Sequence, residues 1–66
     1  MVRWVKAGEI MVKRLHERGA YRSVGAALEV ANRAGVLKTV VNRVIMNRNI
    51  KYHDWRKLAV FLGIPV

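Results

Sequence analysis

Cysteine is absent from this 66-residue chain, so neither a disulfide nor a thiolate metal site can staple it. Carboxylates are scarce: four acids stand against thirteen lysines and arginines. The two histidines, His16 and His53, lie far apart with few acids near them, which excludes a metal site of the usual donor spacing. No nucleophile–base pair and no phosphate-cradling glycine loop can be picked out, so the chain is expected to be a non-enzyme without a cofactor. No run approaches the ~18 apolar residues of a membrane span. The amino terminus lacks the unbroken apolar stretch of a signal peptide. The expectation is a cytoplasmic protein with no membrane partner. Repeats, low-complexity tracts and linkers are missing too.

What remains is short, apolar and basic. A single domain over residues 1–66 buries only about 60% of its unfolded surface, which makes for a small core. The 53% apolar content nevertheless fits a folded chain better than a disordered tail. Stability has to come from helix packing, oligomerisation or both. The formal charge of +9 repels itself in a compact state. Nucleic acid is the commonest polyanion to offset it. The basic residues run along the whole chain, so the folded surface itself should be positive.

Periodicity predicts four short helices and no strand of useful length. The first spans residues 4 to 18, with Val5, Met11 or Val12, and Leu15 inward and Trp4 and Ile10 at the edge. Glu9 and Lys13 form an i,i+4 pair within it. Gly8 weakens its start, and Gly19 stands where a left-handed cap belongs. Ser23 is the N-cap candidate of a second helix reaching about Ala34. Its buried stripe is Val24, Ala27, Leu28, Ala31 and Ala34, with Glu29 and Arg33 paired outside. The third runs from about Lys38 to Met46, with Val40 or Val41, Val44 and Ile45 inward. Asn47-Arg48-Asn49 breaks the chain. The last helix covers roughly Tyr52 to Leu62 and presents Tyr52, Trp55, Leu58, Ala59 and Leu62 on one face. Gly63 and the single proline, Pro65, stop it.

The stretch 27–45 organises the rest. Ala31 permits close approach of two helices, Gly35 suits a tight turn, and Val36, Val41 and Val44 tuck the second helix against the first. These positions resemble the helix-turn-helix of Cro and lambda-repressor-like (XRE-type) DNA-binding proteins. The carboxy-terminal KLAVFLGIPV, residues 57–66, is similar to that family's final helix. The resemblance covers residues 20–66. The chain departs from the family at Ala26-Ala27, where Thr-Gln is common. It departs again at Leu37, where Ser is common, and at Ile45-Met46-Asn47, where Glu-Asn-Gly is common. What the resemblance implies is an all-α, compact, lambda-repressor-like bundle of four or five short helices containing a helix-turn-helix. It further implies a sequence-specific transcriptional regulator of double-stranded DNA, a small phage- or plasmid-type repressor acting as a homodimer.

With the valines committed to packing, the outward residues of the third helix are Leu37, Lys38, Thr39, Asn42 and Arg43. Their chemistry suits base readout. Lys38 and Arg43 can donate to guanine, Asn42 can pair with adenine, and Thr39 and Leu37 can touch a thymine methyl. The plainer reading is a solvated polar face. Arg22 and Ser23 at the start of the second helix, and Asn47, Arg48, Asn49 and Lys51 after the third, are candidate phosphate contacts. Lys6, Lys13, Arg14 and Arg18 read as a general positive field. Val60, Phe61, Ile64 and Val66 are left over as a dimer patch, or else close the monomer core. Trp55 reads as core. Two other classes compete with the regulator. One is a non-specific or RNA-binding basic protein. The other is a protein-interaction module or a basic amphipathic segment at a membrane surface.

Overall fold

Gly8 takes φ 88° and ψ 158°, outside any helix, and the chain changes character on either side of it. In the computed structural model, which describes residues 2–66, Trp4–Val5 is a short strand, β1. Helix α1 runs only over Glu9–Glu17. The helix expected from residue 4 therefore starts five residues late. Valine suits a pleated strand better than a helix start, and Val5 finds a partner. A second strand, β2 (Ile50–Lys51), pairs antiparallel with β1 in the register Trp4↔Lys51 and Val5↔Ile50. The all-α expectation is corrected accordingly: the fold is mostly helical with one small two-stranded sheet. Two-residue strands leave no alternating pattern to read.

The remaining helices are α2 (Val24–Ala34), α3 (Lys38–Ile45) and α4 (Tyr52–Leu62). Ser23 caps α2, its Oγ accepting the Ala26 N–H at 3.1 Å. All four helices end in the same device, a left-handed residue whose neighbours return hydrogen bonds into the last turn. Gly19, Gly35 and Gly63 fill that place after α1, α2 and α4, and Asn47 (φ 59°) fills it after α3. After α3, Asn47 N–H donates to Val44 O at 3.0 Å and Arg48 N–H to Arg43 O at 2.8 Å. After α2, Gly35 and Val36 both donate to Ala31 O, at 2.9 and 3.0 Å. This makes the connection from α2 to α3 tight, and these two helices pack most extensively on each other.

The core gathers Met11 and Leu15 of α1, Ala27, Val30 and Ala31 of α2, and Val40, Val41 and Val44 of α3. Ile50 of β2 and Leu58, Ala59 and Leu62 of α4 complete it, with Ala20 from the α1–α2 connection. Both Val40 and Val41 are buried, whereas a single one of them was expected. On α2 the stripe runs 27, 30, 31, 34; Val24 and Leu28 fall on its flank and are exposed. Ile10 is likewise exposed. No charged or polar residue is buried among the described residues.

Three hydrogen bonds tie the start of the chain to its last third. Tyr52 N–H donates to Arg3 O at 2.8 Å, Trp55 Nε1–H to Ala7 O at 3.0 Å, and Arg14 Nη1 to Leu62 O at 3.2 Å. Outside the core, Glu29 and Arg33 form the expected pair at 3.2 Å. No ion pair joins Glu9 to Lys13 among the described residues. No helix of the described residues is long and apolar enough to cross a membrane.

Candidate nucleic-acid interface

Helix α3 is eight residues long and commits Val40, Val41 and Val44 to the core. By helical geometry the opposite side carries Lys38, Asn42 and residue 46 in one row, with Thr39 and Arg43 beside it. Thr39 is exposed; Lys38 and Asn42 are half-buried. Leu37 stands at the amino-terminal end with 73% of its surface exposed. Its side chain caps nothing; Val40 N–H donates to Leu37 O at 3.0 Å, and the Lys38 and Thr39 N–H groups are left open toward whatever approaches that end. Met46, at the carboxy-terminal end of the same row, is exposed as well. Valine burial at i, i+1 and i+4 was the signal that would have placed it there.

Arg43 differs from the other four. Its Nε donates to Asn49 O at 2.7 Å, and its guanidinium lies 5.2 Å from the centre of the Trp4 ring. The arginine thus pins the loop after α3 and braces β1. Its side chain leans away from the Lys38–Asn42 row toward the ribbon.

The candidate phosphate contacts fall into two groups. Arg22 and Ser23 are exposed at the start of α2. Ser23 spends an oxygen lone pair on the cap yet keeps a hydroxyl proton to donate. Asn47, Arg48 and Asn49 are exposed in the loop after α3, and Lys51 is half-buried on β2. An open cleft of about 700 Å³ separates that loop from α1, and Lys6, Glu9, Lys13, His16 and Asn47 line it. Of the four field cations, Lys6 just ahead of α1 and Lys13 within it therefore face the loop. The other two are engaged within the fold. Arg14 bonds to Leu62 O, and the Arg18 guanidinium sits 4.4 Å from the Phe61 ring centre.

The charge is distributed unevenly. Between Glu29 and Asp54 the chain carries Arg33, Lys38, Arg43, Arg48 and Lys51 and no carboxylate at all. That stretch holds α3 with the whole loop and strand beyond it. A polyanion lying along it meets no fixed like charge from that stretch.

The proposed dimer patch is not one continuous face of free side chains. Phe61 and Ile64 pack against the core, while Val60 and Val66 are exposed. Trp55 is half-buried against the core through its ring and hydrogen-bonded through its nitrogen. No group of three potential metal ligands occurs among the described residues. Burial pushes the Tyr21 phenol above its ordinary value near 10, and its hydroxyl has no hydrogen-bond partner among the described residues. The ring itself stacks on His16 with centroids 3.7 Å apart.

Compared with family models, with curated proteins and with solved structures, the chain has no match.

Proposed function

We propose that the chain is a sequence-specific double-stranded DNA-binding regulator of transcription, a small Cro-like repressor that reads the major groove with α3. The observation that carries this reading is the α2–Gly35–α3 unit. It buries three valines on one side of α3 and leaves Lys38, Thr39 and Asn42 on the other, with Leu37 exposed at the amino-terminal end, within a stretch free of carboxylates. A helix fits the major groove, and these four side chains match base-edge chemistry there. The Val24 and Gly25 N–H groups of α2, the Lys38 and Thr39 N–H groups of α3 and the Asn47–Asn49 loop supply phosphate donors on either side. Arg43 acts in this reading chiefly as the strut that holds the loop in place.

The protein acts as a homodimer, with Val60 and Val66 the exposed apolar residues available for pairing. Two copies double the read sequence and add core to a small domain. It carries out no catalytic step and needs no cofactor.

Selection from a random duplex library tests the reading. Enrichment of one motif, bound more than about 10³-fold better than unrelated duplex, is the expected result. Asn42→Ala should then cost about 1–3 kcal/mol on the enriched motif and nothing on unrelated DNA. Uniform binding with no enriched motif would favour the non-specific or RNA-binding alternative, for which the +9 charge is the supporting observation.

A further inference from the structure

The β1–β2 ribbon gathers aromatic rings and cations on the flank of α3. Trp4 and Lys51 are cross-strand partners, so their side chains leave the same face of the ribbon. Val5 and Ile50 leave the other, and Ile50 is buried. Trp4 is 50% exposed, an unusual place for a tryptophan in so small a fold. The Lys51 Nζ lies 5.9 Å and the Arg43 guanidinium 5.2 Å from its ring centre. One residue earlier, and so on the other side of the ribbon, the Arg3 guanidinium lies 5.2 Å from the Tyr52 ring centre. These cations have aromatic rings as neighbours and no carboxylate partner among the described residues, so their charges are held in place but not neutralised. The Arg43 strut makes this face continuous with the loop that ends α3.

We infer that the outer face of the ribbon is a second DNA contact surface, in which Trp4 positions Lys51 and Arg43 against the sugar–phosphate backbone. The inference rests on the reading of the chain as a duplex-binding protein and adds to it a grip that is indifferent to sequence. Charge complementarity selects the occupant. Two fixed cations beside a flat apolar ring fit a run of phosphates and deoxyriboses. An acidic protein surface would meet the same charges, but the face runs on into the carboxylate-free loop after α3, along which a continuous polyanion fits better.

Trp4 reports on its own surroundings. Of the two tryptophans, Trp55 is half-buried with its nitrogen bonded to Ala7, so a ligand on the ribbon perturbs Trp4. The test titrates the full chain with duplex DNA, both the selected motif and an unrelated sequence. Tryptophan emission and the salt dependence of affinity are followed. The expected result is a change in emission with both duplexes, abolished in Trp4→Phe. Lys51→Ala should lower the slope of log affinity against log salt by about 0.9, equally for both duplexes, while Arg3→Ala, on the other side of the ribbon, should leave it unchanged. Trp4→Phe should keep affinity within about twofold because the shorter ring still braces the cations, whereas Trp4→Ala should lower it about fivefold. Thermal melts of each variant separate loss of fold from loss of contact, and Arg3→Ala leaves the Trp4–Lys51 pair intact. Duplex binding with unchanged emission and unchanged slopes would overturn the inference and leave the α3 reading standing. Tighter quenching by single strands than by duplex would overturn it too, by making Trp4 a base-stacking residue. Failure to bind any duplex would instead remove the α3 reading itself.

Discussion

Asn47 is the one residue other than glycine held at positive φ among those described, and it sits where α3 hands over to the basic loop. Asparagine tolerates that conformation better than most residues but still pays for its β-carbon. Asn47→Gly should therefore raise stability by up to about 1 kcal/mol, read from chemical denaturation. If the amide also grips a phosphate, the same substitution lowers DNA affinity while the melt improves, so fold and contact move in opposite directions. Tyr21 gives a second measurable effect. Its folded state keeps the phenolic proton past the pH at which the unfolded chain loses it. The folded form then binds more protons, and stability falls as pH rises above about 10. Tyr21→Phe should remove that part of the alkaline loss. At neutral pH it should stabilise the fold by about 1 kcal/mol, because a hydroxyl without a partner disappears.

The helix ends that were readable are those marked by local chemistry; the start of α1, with no capping side chain, was not among them. Ser23 and Gly35 bracket α2, and Gly63 closes α4, since a cap and a left-handed stop are local chemistry that a single chain segment contains. The expected span Tyr52–Leu62 coincides with α4 for the same reason. The ribbon was not readable. Its two strands are two residues each, and what makes them strands is a partner about 47 positions away. Gly8 reads in the local sequence as a weak spot in a helix, while its positive φ makes it the joint between strand and helix. The candidate site divides along the same line. The Lys38–Asn42 row follows from valine spacing. The turning of Arg43 toward Trp4 and Asn49 depends on the ribbon and left no mark in the local sequence. Joining elements so distant relies on single bonds, of which Trp55 Nε1–H to Ala7 O is one. Trp55→Phe keeps most of the ring packing and leaves that carbonyl short of a donor, at a cost of about 1–3 kcal/mol. Differential scanning calorimetry should show the melting temperature drop by about 4–8 °C for each kcal/mol lost.

Thirteen cations on a body of 33 × 21 × 20 Å set the conditions under which the molecule is most stable. Self-repulsion of a +9 surface weakens the fold, and ions within a Debye length of about 10 Å at 0.1 M soften it. Raising sodium chloride from about 10 mM to about 300 mM should raise the melting temperature, while the same change weakens any duplex complex. A protein whose folding and binding respond to salt with opposite sign offers a clean control, since a loss of affinity at high salt cannot then be ascribed to unfolding. The ribbon adds a constraint on how the fold is reached. During synthesis, β1 emerges first but stays without a partner until residues 50–51 have been made. Ala7 and Arg14 wait longer still, for Trp55 and Leu62. The caps of α1 and α2 are available to a nascent chain from the start, but the seam between the first seven residues and α4 closes last. The surface proposed to hold the DNA backbone straddles that seam, so a chain still being made presents no finished grip on nucleic acid.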